Sequence, residues 1–331
     1  MKRKVVIPVH IPQSGFFNEL DGWNIVFPSG KKHNREEFLE QIKDADVIVS
    51  IFGLKLENSV IEAAGNLKMI ANFGAGYDNV DVGYCTKKGI LVTNCPDPVT
   101  EPTAELAFAL MLAVARRVVE MNIRLNSPEP LKWGVMRNLS STLVGKRLGI
   151  VGMGAIGKAL ARRAVASGMS IVYHNRKRLD EAVEKQFGAK WVSFDELLET
   201  SDYVSLNVPL TPATKGLIGR EELRKMKKSA YLINTARGAV VKERELIDAL
   251  KDGEIAGAGL DVFEKEPDIP NEFLEMGNVV VMPHLGSATL EAREEMSRVV
   301  AVNIAAAFSG KTPPNIVNRE VWKEWKTGIS G

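Results

Sequence analysis

A chain of 331 residues is about twice the length of a typical domain, so two domains are expected. Hydrophobic residues at 45% and charged residues at 25% exclude extended disorder. The balance of 43 Lys+Arg against 41 Asp+Glu, a net charge of +2, excludes a nucleic-acid or acidic-membrane partner read by bulk charge. The two cysteines, Cys85 and Cys95, make no disulfide framework and stand in no metal-binding cluster, so no metal is expected. The apolar run after MKRK covers only Val5 to Val9, too short for a signal-peptide core. The longest run, Leu106 to Ala115, is about half a bilayer span; a cytoplasmic location is expected.

Short β-rich runs alternate with helical patterns almost from end to end, the pattern of a parallel-sheet α/β architecture. In the first hundred residues strands are predicted at 4–9, 45–51, 68–72 and 90–93, with helices between them at 35–42 and 58–64. A second series follows at 147–151, 170–174, 203–207, 230–234, 257–261 and 279–282. The join between the two series, 101 to about 126, reads as one long helix containing AELAFALMLAVARR, too apolar for an open surface and suited either to a core or to a subunit interface. A last amphipathic helix at 290–308 ends at the turn-rich SGKTPPN and is placed to return to the first unit.

Gly152-Met153-Gly154-Ala155-Ile156-Gly157 fits GxGxxG between a strand (RLGIV) and a helix (KALARRAVASG). Gly152 permits the tight turn, Gly154 lets backbone approach a pyrophosphate, and Gly157 allows close helix–strand packing, with the helix N-terminus offering free N–H groups. The next strand ends at Asn175, 23 residues after Gly152, where an NAD-preferring site carries an acid for the ribose 2′-hydroxyl. Here Arg176, Lys177 and Arg178 follow instead, a cluster suited to a 2′-phosphate, so NADP(H) is favoured over NAD(H). Gly74-Ala75-Gly76, after the strand LKMIAN, is a second glycine turn with backbone N–H groups suited to a small anion; Asn79 stands where a third glycine would complete the pattern.

Of four histidines (His10, His33, His174, His284), His284 lies at the carboxyl end of VVVMP, before a Gly/Ser turn. Arg237 closes AYLINTAR, and Glu266 follows GAGLDV in the loop FEKEP. Ligands in open α/β sheets bind outside the carboxyl ends of strands, so the three are placed to converge at one mouth. Together they suit hydride transfer to a ketone: Arg237 to bind a carboxylate and polarise the carbonyl, His284 to donate the proton, Glu266 to orient the imidazole and favour its charged form. No GxSxG elbow, P-loop lysine or HExxH motif competes. The segment Ile51, Phe52, Gly53 and Leu54, after an early strand, fits either substrate-pocket lining or core.

Seven motifs in order, NFGAGYDNVD, TEPTAELAFALML, GIVGMGAIG, VPLTPATKGLI, INTARGAVV, GLDVFEKEP and MPHLGSAT, resemble the D-isomer-specific 2-hydroxyacid dehydrogenases, and among them the glyoxylate/hydroxypyruvate reductase branch. The resemblance implies two Rossmann/flavodoxin-like doubly wound parallel-sheet domains with the active site in the cleft between them. It implies a discontinuous substrate-binding domain at 1–99 plus 288–331 and a dinucleotide-binding domain at 100–287. Arg237, Glu266 and His284 are implied as the catalytic set, and the N–H groups of Ala75 and Gly76 as holders of the substrate carboxylate. Asp261 is implied near the nicotinamide, with Thr103, Val208, Pro209, Thr214, Thr235, Ala236 and Gly286 along the cofactor site. A homodimer joined through the long helix is implied as well.

The implied activity is NAD(P)H-dependent reduction of a small 2-oxoacid to the D-2-hydroxyacid. Relatives acting on formate carry glutamine where Glu266 stands, which argues against formate. Phosphite-oxidising relatives share GMGAIG and PTAELA, so phosphite remains an alternative, as does a dinucleotide-sensing corepressor-like binding role on the same fold.

Overall fold

The computed structural model describes residues 2–128 and 131–328. The chain folds as two units, Met1–Val99 with Ser287–Gly331, and Thr100–Gly286. The first contains β1 (Lys4–Val6), α1 (Ser14–Glu19), β2 (Asn24–Val26), α2 (Arg35–Ile42), β3 (Val47–Ile51), α3 (Asn58–Ala63), β4 (Met69–Phe73), α4 (Val82–Lys87) and β5 (Leu91–Thr93). All five strands are parallel, in the order β2-β1-β3-β4-β5. β3 and β4 are buried along their whole length, which is why VIVSI and MIANF read as nearly continuous apolar runs rather than alternating ones. α2 starts where Asn34 and Glu37 satisfy each other's backbone N–H groups, and α4 where Asp81 accepts from the Tyr84 amide.

The long apolar stretch that follows is two helices, not the single one expected: α5 (Asp97–Ala115) and α6 (Val118–Leu125). The break is at Arg117, whose backbone is left-handed (φ 54°) and whose guanidinium grips Glu120 through two hydrogen bonds of 2.7 and 2.6 Å and the Leu139 carbonyl at 3.0 Å. α5 also starts earlier than predicted, because Pro98 stands in its first turn, where a missing N–H costs nothing. By length and composition α5 is apolar enough to cross a membrane. Its Ala104, Ala107, Leu110, Met111 and Val114 are buried, however, in a core shared with strands of the second unit, as in a central helix of a globular fold.

The second unit continues with β6 (Arg147–Val151), α7 (Ala155–Ala166), β7 (Ser170–His174), α8 (Glu181–Phe187), β8 (Ala189–Trp191), α9 (Phe194–Thr200), β9 (Tyr203–Leu206), α10 (Arg220–Lys225), β10 (Tyr231–Asn234), α11 (Glu243–Lys251), β11 (Gly257–Leu260), α12 (Asn271–Glu275) and β12 (Val279–Val281). Its seven parallel strands run β12-β11-β10-β9-β6-β7-β8, so the order reverses on either side of β6. Two apolar clusters, one on each face, close the sheet, as a parallel sheet requires.

α13 (Leu290–Phe308) belongs to the first unit, where Met296, Val300, Ala301 and Ile304 enter the core beside β3 and β4. After the proline turn the chain pairs with β5: Val317 N–H bonds the Val92 carbonyl. The buried Asn318 accepts from Val92 N–H at 2.8 Å and donates to the Ile90 carbonyl at 2.9 Å and to Thr86 Oγ1 at 3.1 Å. A further helix, α14 (Arg319–Gly328), was not predicted; Val321 and Trp322 bury in the same core.

Candidate active site

The β6–α7 turn sits at the switch point of the seven-stranded sheet, the place where open α/β sheets bind ligands. Gly152 has φ 91°, and a Cβ there would stand 2.7 Å from the Asn207 carbonyl oxygen, so this position takes only glycine. A Cβ at Gly154, by contrast, would meet nothing within 4 Å. That leaves open space against backbone, next to the N-terminus of a 12-residue helix that carries no side-chain cap. Val208 lies against Gly152, Thr214 Oγ1 donates to the Pro209 carbonyl at 2.6 Å, fixing the loop after Val208, and the buried Thr235 Oγ1, just past β10, has no hydrogen-bond partner among the described residues. Space, free N–H groups and an unmatched hydroxyl fit the pyrophosphate and ribose of a dinucleotide.

Asn175 serves this turn directly, accepting from Met153 N–H at 2.7 Å. The basic cluster after it is smaller than the sequence suggested. Arg178 is bound to Glu184 by two hydrogen bonds of 2.9 and 2.8 Å. Tyr173 donates to the same carboxylate at 2.6 Å, and Arg178 and Tyr173 together hold Glu184 down at about 2. Arg178 is therefore structural, whereas Arg176 and Lys177 are exposed and make no ion pair among the described residues.

The three acid–base candidates follow neighbouring strands β10, β11 and β12. His284 Nδ1 meets Glu266 Oε2 at 2.7 Å, and the other oxygen of Glu266 accepts from Phe263 N–H at 3.1 Å. Burial works to raise the Glu266 carboxyl. The hydrogen bond and charge of His284, the Phe263 amide and the Arg237 charge outweigh it and hold the group below the ordinary carboxylate range. The Arg237 loop is shaped by the buried Asn234, which donates to the Arg237 carbonyl at 2.9 Å and accepts from Ala236 N–H at 3.1 Å. Gly238 lets this loop lie on the Glu266 loop: a Cβ there would fall 1.9 Å from the Phe263 carbonyl carbon.

His284 has a left-handed backbone (φ 56°), uncommon for a side chain of its size. Asp261 holds it there. The Asp261 carbonyl accepts from His284 N–H at 2.8 Å, and its carboxylate accepts from Leu285 at 2.7 Å and Gly286 at 2.9 Å, so three successive amides converge on one residue. Burial pushes the Asp261 carboxyl up to about 6, against the pull of those amides and of His284. Thr103 is buried against Gly286 beside it.

In the first unit, the turn after β4 turns its carbonyls inward. Asn72 donates to the carbonyls of Gly74 (3.0 Å) and Gly76 (2.8 Å), Asn94 to that of Ala75 (2.8 Å), and Cys95 N–H to that of Gly74 (3.0 Å). Asn79 ties the far end of the turn to the Ile51 carbonyl at 3.0 Å. The N–H groups of Ala75 and Gly76 meet no acceptor among the described residues, which gives the turn the donor pattern of an anion nest. Sequence reasoning missed Asn72, Asn94 and Asn234. For Asn72 and Asn234 the available signal was an amide at or next to the end of an otherwise apolar strand, in MIANF and YLIN.

This is the architecture of doubly wound α/β oxidoreductases that bind a nicotinamide dinucleotide at the first β–α turn. The match with known proteins is more particular. Residues 108–286 match the family model described as D-isomer specific 2-hydroxyacid dehydrogenase, NAD binding domain. A glyoxylate reductase of Thermococcus litoralis is 48% identical over 97% of this chain and 98% of its own. Among solved structures, a glyoxylate reductase from Paecilomyes thermophila aligns with a TM-score of 0.86 at 35% identity, over 96% of this chain and 99% of that one. An NADPH-dependent glyoxylate/hydroxypyruvate reductase from Sinorhizobium meliloti, in complex with NADP and malonate, aligns at 0.80 and 31%, over 96% and 97%. The chain belongs to the D-isomer specific 2-hydroxyacid dehydrogenase family.

Proposed function

We propose that this protein reduces a small 2-oxoacid of the glyoxylate or hydroxypyruvate kind to the D-2-hydroxyacid, with NADPH preferred over NADH. The observation that carries the proposal is the 2.7 Å His284–Glu266 pair, set beside Arg237 in the same unit as a turn that fits a dinucleotide. When bound, the reduced nicotinamide supplies the hydride. Arg237 binds the substrate carboxylate and polarises the carbonyl; His284, with Glu266 on Nδ1, presents Nε2 as the proton donor to the developing alkoxide. In this proposal the first unit takes the substrate carboxylate, supported by the turn at Ala75 and Gly76, and the second takes the dinucleotide, supported by the β6–α7 turn. Thr103, Val208, Pro209, Thr214, Thr235, Ala236, Asp261 and Gly286 join the cofactor side in this proposal. The S. meliloti relative, whose structure carries NADP, supports the cofactor preference. So does the neutral Asn175, which places no carboxylate against a 2′-phosphate.

Initial rates of glyoxylate reduction with NADPH and NADH in parallel test both parts. Wild type is expected to favour NADPH in kcat/KM, and Arg176→Ala to lower that preference by about tenfold, the scale of one charge-assisted phosphate contact. Equal losses with both cofactors would return Arg176 to a solvated turn. No turnover with any small 2-oxoacid would remove the proposed activity.

A second copy of the chain is the proposed partner. α6 and the segment after it expose Ile123, Leu125, Trp133, Val135, Met136 and Leu139, with Trp133 at 84% and Val135 at 95% exposure. A cluster of bare large side chains on one arm is what a symmetric interface covers. Sedimentation is expected to give a dimer for wild type and a monomer for Trp133→Arg; a monomeric wild type would overturn it. The two cysteines are free and buried, which suits a reducing cytoplasm.

A further inference from the structure

The first unit holds a half-buried arginine with no counter-ion among the described residues. Arg293, in the first turns of α13, lies with its guanidinium 4.8 Å from the Phe52 ring centre and 5.9 Å from that of Phe73. The one hydrogen bond of its side chain among the described residues is a weak one to Met296 Sδ at 3.7 Å. Burial pulls its pKa below the ordinary arginine value, and the only group opposing this is the Cys95 thiol, itself pushed up to about 12 by burial and so neutral. No carboxylate among the described residues pairs with it. Aromatic faces offset part of the cost of removing a guanidinium from water, but they leave most of its five N–H donors unmatched.

The residues around Arg293 are those that frame the anion nest. Phe73 is the residue before Gly74, and the Phe52 Cβ stands 3.7 Å from where a Gly74 Cβ would be. Cys95 donates its N–H to the Gly74 carbonyl. The nest therefore has outward N–H groups at Ala75 and Gly76 and a fixed, uncompensated positive charge packed against the two rings at its edge. We propose that Arg293 is a positioning and specificity residue of this nest: its charge is answered by the carboxylate that binds there, so that the enzyme selects 2-oxoacids over neutral carbonyl compounds of the same size. The effect acts through Phe52 and Phe73, which hold the guanidinium in place, and through the field it adds to the nest amides. The inference deepens the proposed activity by assigning carboxylate recognition in the first unit to a charge as well as to backbone.

The test compares full-length wild type, Arg293→Gln and Arg293→Lys. Arg293→Gln is expected to raise the KM for glyoxylate about tenfold or more with kcat changed less than about threefold, the mark of lost uniform binding. It is expected to weaken binding of oxalate, an unreactive carboxylate, to the NADPH-loaded protein by a similar factor in calorimetry, while the KM for NADPH stays put. Arg293→Lys, which keeps the charge without the planar fork, is expected to recover most of the oxalate affinity. Unchanged KM and oxalate affinity in Arg293→Gln would overturn the proposal, as would an Arg293→Lys variant as defective as Arg293→Gln. Oxalate binding needs no turnover, so the inference stands or falls even if glyoxylate proves not to be reduced, which would count against the proposed activity instead.

Discussion

Replacing His284 by alanine is expected to lower kcat for glyoxylate reduction by about 10²–10⁴-fold, the range over which a positioned general acid acts. NADPH affinity is expected to stay near that of wild type, because the glycine turn at Gly152–Gly157 is held by contacts of its own, with Asn175 accepting from Met153 N–H. The backbone at His284 is left-handed, so alanine alone confounds loss of the imidazole with a change in local strain. His284→Asn separates them: asparagine tolerates that backbone and keeps a polar side chain but cannot deliver a proton. Both variants are expected to lose the chemical step alike, in single-turnover rates and in kcat. Turnover retained in either would move the proton donor elsewhere.

The geometry around His284 suits the proposed role. Glu266 is kept ionised in a half-buried setting because His284, the Phe263 amide and Arg237 together outweigh the cost of burial. The carboxylate in turn fixes the ring through Nδ1. Asp261 then fixes the main chain that carries the ring. Two acids thus have separate jobs, one on the side chain and one on the backbone of the same residue.

Much of this was legible in the sequence, for a physical reason. Strands buried on both faces, such as β3, β4, β6 and β9, are apolar over most of their length, so each reads as a short apolar run, and candidate site residues stand just past the ends of such runs. Arg237, Glu266 and His284 stand out for that reason. Less visible were the edge strands β2 and β8, three residues each, in which Asn24, Lys190 and Trp191 leave no apolar run to read. α14 was hidden because its polar face outweighs Val321 and Trp322. The α5–α6 break was hidden because nothing local marks Arg117 for a left-handed backbone; the Glu120 and Leu139 contacts that hold it are made by the fold. Arg178 misled because a cation beside a phosphate-binding turn and a cation bound to a buried glutamate look the same in one dimension. Arg293 was passed over in an amphipathic helix for the converse reason: its setting is made by Phe52 and Phe73, more than two hundred residues away.

Arg237→Lys is expected to cost about 10²-fold or more in kcat/KM, shared between binding and turnover, although the charge is kept. The loop leaves little freedom at this position. Asn234 holds the Arg237 carbonyl and the Ala236 amide, Gly238 presses against the Phe263 carbonyl carbon, and Arg237 Nη1 donates to the Ala236 carbonyl at 2.8 Å, so the backbone around it directs the side chain. In the proposed reaction a planar guanidinium can meet both a carboxylate oxygen and the carbonyl oxygen on which charge develops, whereas an ammonium at the end of a flexible stem meets one and is free to leave the other. Loss of the second contact appears only in the transition state, so kcat falls along with affinity. The same substitution is expected to weaken the charge that helps hold Glu266 ionised, since that depends on where the cation sits. A rise in KM with kcat untouched would reduce Arg237 to a carboxylate anchor, and unchanged kcat/KM would remove it from the site.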